Sequence, residues 1–162
     1  MLARLGGLRA ALAVLTATTG VYMALVVFNN VTDFDTNRAF VVHVLAMDTT
    51  FKSPDTMWRA ITSPGLALTA YILIIAWEAV TAVALLAGFV AWLRGGPAKQ
   101  LTNVGLLMMV LLFGLGFIVI GGEWFQMWQS HDWNGLQPAL QNFLIASVAL
   151  IVNHLPERQR IT

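Results

Sequence analysis

Glu78 is the residue of this chain with the most demanding chemistry, because it stands inside an apolar run extending from about Leu66 to about Leu93. If that run crosses a bilayer as a helix, the carboxyl lies about 12 residues from one end. That is about 18 Å down, close to the bilayer centre. An unpaired charge in hydrocarbon costs several kcal/mol, so the group must be neutral, hydrogen-bonded to a neighbouring helix, or in contact with water. Two roles follow: an acid that relays protons or couples to an ion, and a neutral acid that ties helices together. A single acid without an acidic or basic companion makes a poor conduction path, which favours the second. Counting the same depth along the first apolar run gives Thr16, Thr18 and Thr19, whereas the third run offers Met108, Met109 and Val110. The threonines are therefore the expected partners.

The remaining groups suited to catalysis or ligation are sparse. Of the three histidines, His43 and His131 fall between apolar runs and His154 at the end of the last, so no two face each other at one depth as a bis-histidine haem in a bundle requires. His43, His131 and Asp132 with Met47, Met57 or Met127 are chemically suited to copper or zinc, yet no spacing among them is diagnostic of a metal site. The absence of cysteine excludes disulfides, thiolate metal sites and cysteine nucleophiles. No phosphate-binding loop, nucleophile elbow or metalloprotease helix is present, which argues against an enzyme, and no cofactor is implied.

The elements that would position these groups follow from composition. The chain has 162 residues, of which 58% are hydrophobic and 10% charged, too little polar surface to cover a water-soluble globule of that size. A net charge of +1 gives no reason to expect a nucleic-acid partner. Four apolar segments are long enough to span roughly 30 Å of hydrocarbon: residues 8–28, 66–93, 101–120 and 138–155. The expected fold is all-α, a single polytopic membrane domain with four transmembrane helices. The first segment, behind Arg4 and Arg9, exceeds the 7 to 15 apolar residues of a cleaved signal and is expected to be retained.

Basic residues give the orientation. With the N terminus inside, Arg4, Arg9, Arg94, Lys99, Arg158 and Arg160 lie on the cytoplasmic side and Arg38, Lys52 and Arg59 outside. Both termini are then cytoplasmic. Trp58, Trp124, Trp128 and Trp133 fall on the outer side and Trp92 at the inner end of the second helix, as expected for interfacial anchors. Ser63-Pro64 is read as a helix start, Gly95-Gly96-Pro97 and Pro156 as helix stops, and Asn134-Gly135 as a turn.

The outer segment 29–63 is too polar to cross and too apolar for a loose loop. Asp35 or Thr36 is expected to cap a short helix carrying Phe40, Val41, Val44, Leu45 and Met47, followed by a helical turn from Ser53-Pro54 that brings Trp58 and Ile61 together. This lid packs on the helix ends or, on the other reading, offers a ligand or partner site. The small residues Ala13, Ala17, Gly20 and Ala24 form a stripe on the first helix, and Gly105, Gly114 and Gly116 lie on the third, both suited to close helix packing within the chain or against another protein.

Three stretches carry a resemblance. They are Gly122-Glu123-Trp124-Phe125-Gln126-Met127-Trp128-Gln129-Ser130 with Trp133-Asn134-Gly135, then Asn30-Val31-Thr32-Asp33-Phe34 with the run from Phe40 to Thr50, and Tyr71 to Ile75 with Glu78. Over nearly its whole length the chain resembles an uncharacterised bacterial family of predicted small integral membrane proteins. The resemblance implies a four-helix bacterial inner-membrane protein and carries over no catalytic residue. It draws attention to Asp33, His43, Asp48, Glu123, Trp124, Trp128 and Gln129, which the topology places together on the outer side. These are expected to form one polar and aromatic surface across the two outer segments.

The function expected from the sequence is a non-catalytic accessory subunit of a larger bacterial inner-membrane complex, respiratory or transport machinery, whose partners are the lipid bilayer and other membrane subunits. The alternatives are a small proton- or ion-coupled transporter or channel using Glu78, and a redox or quinone-linked membrane protein.

Overall fold

The computed structural model describes residues 7–155. Arg4, Arg158, Arg160 and Pro156, used above for orientation and for the last helix stop, lie outside the described residues. Every regular element among the described residues is helical, and four helices have the length and composition to cross a membrane.

The first, α1 (Leu8–Thr32), runs four residues past its expected end. After a single break at Asp33 the lid helix α2 (Phe34–Ala46) begins. It starts earlier than Asp35 or Thr36 would have capped it. Neither acts as the cap: the boundary residue is Asp33, which makes no side-chain cap bond. Instead Asn37 donates to the Asp33 carbonyl at 2.9 Å. That bond serves a carbonyl at the junction of the two helices, not the free amides of the first turn that an N-cap residue would satisfy.

Past the lid, the backbone N–H of Ile61 donates to the Leu45 carbonyl at 2.8 Å and holds the return segment against α2. The helical turn expected at Ser53-Pro54 forms at Met57–Arg59, and Trp58 there is turned outward, packing edge-on against Trp124 with ring centroids 5.6 Å apart.

The long helix α3 (Pro64–Arg94) starts as read: the Ser63 hydroxyl accepts from the Leu66 amide at 3.4 Å, and proline occupies the first turn. It ends at Gly95 and Gly96, whose φ of 91° and 122° lie in the region that favours glycine. Its 31 residues make it about 46 Å long, well beyond the hydrocarbon thickness, so part of it stands outside the lipid core beside the lid.

Next, α4 (Ala98–Val110) continues without a break into a wider section, Leu111–Trp124, in which hydrogen bonds reach back five residues, as from the Phe125 amide to the Ile120 carbonyl. Wide turns of this kind normally occur singly and at functional sites. Gly114 and Gly122 of this section admit Phe143 and Leu136 of the last helix, which an added Cβ would meet at 2.9 and 2.7 Å. The last helix, α5 (Leu136–His154), starts two residues before the expected position, where Asn134 Oδ1 accepts from the Leu136 amide at 3.1 Å.

The core joins all four spanning helices through Met23, Leu85, Leu106, Met109, Phe113 and Ala146. The small-residue stripe of α1 faces α3 of the same chain: a Cβ added to Gly20 would stand 3.2 Å from the backbone nitrogen of Leu86. Gly105 of α4 likewise meets Leu85. These glycines set the close approach of α1, α3 and α4.

Candidate functional site

Gly20 opposite Leu85 and Leu86 fixes how α1 and α3 are aligned. From that level, moving towards the lid, α3 reaches Glu78 after two turns. Over the same distance α1 approaches its own end. Glu78 consequently meets Asn30, whose side-chain amide donates to Glu78 Oε2 at 2.7 Å.

This corrects the expectation that the threonines bind Glu78 at the bilayer centre. Thr16 bonds to Thr102 of α4 at 3.2 Å, and Thr102 accepts from Trp92 Nε1 at 3.0 Å. Thr102 in turn abuts Gly88, ten residues along α3 from Glu78 and so about 15 Å away. Thr19 returns its hydroxyl to the Leu15 carbonyl at 2.8 Å, and Thr18 is exposed on the lipid side. The depth count failed because it aligned the outer ends of α1 and α3. In the fold α3 extends well past the end of α1, and the lid packs beside the excess.

The Glu78 side chain is buried, with 3% of the residue exposed, and it lines a cavity of about 180 Å³ beneath the lid. Around it stand Tyr22 and Asn30 from α1, Asn37 from α2, Tyr71 from α3, and Phe113 and Phe117 from the α4 segment. The polar members are held by hydrogen bonds to one another and to their surroundings. Tyr71 donates its hydroxyl to the Asn30 carbonyl at 2.8 Å, and Asn142 of α5 donates to the Tyr22 hydroxyl at 2.9 Å. Among the described residues Glu78 receives one hydrogen bond, on Oε2, and no basic side chain lines the chamber.

Further towards the other end of the molecule the core is packed by Met23, Leu85, Leu106 and Met109, all at most 1% exposed and none of them part of the chamber lining. Sideways it shares the wall formed by Phe40, Val41, Ile74 and Phe117 with a second cavity of about 290 Å³. This one is almost wholly apolar and lies between the lid, α3 and the wide section of α4. It opens beside Leu73, which is 64% exposed on the membrane-facing surface. Gly116 lines it and has no side chain near its Cβ position closer than 3.9 Å.

Above the chamber the two outer segments bond to each other. Thr49 donates to Ser130 at 2.8 Å, the Phe51 amide to Gln129 Oε1 at 2.9 Å, and Thr56 to Gln126 Oε1 at 3.1 Å. His43 stacks on Trp133 with centroids 4.4 Å apart and pairs through Nδ1 with Asp48 at 2.8 Å. Phe51 meets Trp128 edge-on, and the Arg59 guanidinium lies over Trp124 at 4.9 Å. Thus Asp48, His43, Trp124, Trp128 and Gln129 take part in this layer. Glu123 and Asp33 are exposed, and neither side chain has a hydrogen bond among the described residues. His131 pairs with the adjacent Asp132 at 2.7 Å rather than with His43. Among the described residues no three histidine or acidic side chains gather as a metal site would require.

Asn30, Tyr22, Asn37 and Tyr71 were not singled out as companions of Glu78 by sequence reasoning. Tyr71 and Asn30 do stand in the stretches that carry the resemblance, and their shared location there was the available signal.

Four apolar spanning helices closing on a buried carboxyl, capped by a folded lid, define an all-α polytopic membrane protein. The chain belongs to the family described as predicted small integral membrane protein, whose model matches residues 8–156. Comparison with curated proteins and with solved structures gave no match.

Proposed function

We propose that this protein is a non-catalytic binding module of the bacterial inner membrane, with both termini cytoplasmic, that holds a small ligand in the chamber around Glu78. The observation that carries the reading is the chamber's shape. It contains one buried carboxyl with a single protein hydrogen bond, and across a wall of four side chains it adjoins an apolar cavity at the membrane surface. Buried polar groups are normally satisfied, so a carboxyl facing a cavity lined by few convergent polar groups is the arrangement of a binding site.

A conduction pathway is less well supported. Met23, Leu85, Leu106 and Met109 offer no polar group to a proton or ion, and the hydroxyls buried near them, Thr81 and Thr19, are spent on the Trp77 and Leu15 carbonyls. Proteoliposomes containing the chain are expected to show no proton flux above empty vesicles. Flux abolished by Glu78→Gln would favour the transporter instead.

The reading is tested by purifying the protein from its own membranes in mild detergent and identifying small molecules released on denaturation. A ligand present near one per chain, and depleted in a Gly116→Leu variant that fills the apolar cavity, is the expected result. A protein carrying only bulk lipid in membrane proportions would overturn it.

A second reading, the accessory subunit of a respiratory or transport complex, draws support from the outer surface. Phe51 and Trp58 are 72% and 70% exposed there, beside Trp124 and Trp128. Aromatic clusters of this kind are enriched at protein interfaces. Proteins that co-purify with the wild type and are lost in a Phe51→Ser, Trp58→Ser variant would establish it, while a chain that always runs alone would count against it.

A further inference from the structure

The chamber and its neighbouring cavity together describe an amphiphile rather than a lone polar molecule. Their volumes, about 180 and 290 Å³, share a wall of four side chains and jointly fall within the ~300–1,000 Å³ of small-molecule pockets. One compartment is nearly devoid of polar surface and reaches the lipid beside Leu73. The other holds the carboxyl.

The sign of the head group follows from what lines the polar compartment. Glu78 is its one ionisable carboxyl, and no lysine, arginine or histidine shares it. An anionic head such as a phosphate would face Glu78 without a counter-charge, whereas a cation would neutralise the buried acid and offset the cost of placing it there. The rings of Tyr22, Phe40, Tyr71, Phe113 and Phe117 also line the compartment. Aromatic faces joined to a carboxylate are the usual environment for alkylated ammonium groups, which are attracted to the rings yet shed water readily.

Resting on the binding-module reading above, we infer that the ligand is a lipophilic cation: its ammonium group sits between Glu78 and the aromatic rings, and its apolar tail lies along Gly116, Phe117 and Leu73. The lack of a side chain at Gly116 then has a purpose, since any larger residue would occupy the tail's path. Asn30 acts as a positioning residue that holds Glu78 Oε2, leaving the other carboxyl oxygen for the ligand.

The test uses the full chain in uncharged maltoside detergent with three probes of equal tail length, followed by calorimetry. These are hexyltrimethylammonium, its neutral isostere with a tert-butyl group in place of the trimethylammonium, and hexyl sulfate. The cation is expected to saturate one site per chain and to bind about 10-fold or more tighter than the neutral isostere. Glu78→Gln should remove that advantage while leaving the weak binding of the isostere intact, which shows that the variant is folded. Gly116→Leu should weaken both.

If the isostere binds as tightly as the cation and Glu78→Gln changes neither, the cation is wrong while the binding-module reading stands. If hexyl sulfate binds best, the assigned sign is wrong. If no probe shows saturable binding to a chain that melts cooperatively, both the cation and the binding-module reading fall.

Discussion

At the scale of single residues, the Asn30–Glu78 pair links the end of one helix to the middle of another, and its energetics can be isolated. Removing the donor leaves a carboxyl in a low-dielectric cavity without its protein partner, a loss of about 1–3 kcal/mol. Asn30→Ala is therefore expected to lower the thermal midpoint in detergent, and the same change made on Glu78→Gln should cost less, because a neutral amide needs its partner less. Equal costs in the two backgrounds would mean that the pair is not coupled. A second residue-scale expectation concerns His131, which is fully exposed. The hydrogen bond to Asp132, and then that residue's negative charge, raise its pKa above the ordinary 6.5. A raised folded-state value favours the protonated form, so the pair's contribution is complete below pH 6.5 and is lost as pH rises through the raised pKa. Titration followed by NMR should show His131 holding its proton longer than a free imidazole, and Asp132→Asn should move it back towards 6.5. An unchanged titration in that variant would remove Asp132 as the cause.

At the scale of elements, two glycines on one continuous helix have opposite duties. Gly105 lets α4 press against α3: an added Cβ would lie 2.5 Å from Leu85 Cγ and 3.3 Å from the Leu85 backbone nitrogen. Leu85 is wholly buried and has nowhere to retreat, so Gly105→Ala is expected to cost about 1–3 kcal/mol through overpacking. Gly116 has only atoms at 3.9 Å around its Cβ position and borders the apolar cavity. Gly116→Ala is expected to change stability by about 0.5 kcal/mol or less, as at positions free of packing conflict. Parallel melting curves of the two variants decide the matter, and similar losses in both would contradict the assignment of Gly116 to an open cavity. The open surroundings of Gly116 belong to the wide section of α4. Five residues of that section, Leu112, Gly116, Phe117, Ile120 and Gly121, line the cavity.

At the scale of the whole molecule, an even number of spans places both termini on one side, and the proposed orientation puts the lid outside. The native chain has no cysteine, so single cysteines report topology without background. In intact cells, a membrane-impermeant thiol reagent is expected to label Lys52→Cys and not Gly96→Cys. The reverse pattern would invert the protein and put the chamber on the cytoplasmic side.

The sequence by itself determined the number of spanning helices, the start of α3 at Ser63-Pro64, its end at Gly95-Gly96 and the presence of a folded segment between the first two spans. These are properties of local composition: a run of about 20 apolar residues has nowhere to go but into lipid, and proline and glycine act on their own stretch of backbone. Glu78 was visible for the same reason, as a charge in an apolar run. Its partner was not. Which residue of α1 lies beside Glu78 depends on how far one helix slides along the other, and that is set by Gly20 against Leu85 and by a lid that lets α3 extend past α1. A shift of three turns between neighbouring helices leaves every local signal unchanged, yet it replaces three threonines with Asn30 and opens the chamber beside it. Register between helices is a property of packed surfaces, and only the tertiary structure decided it.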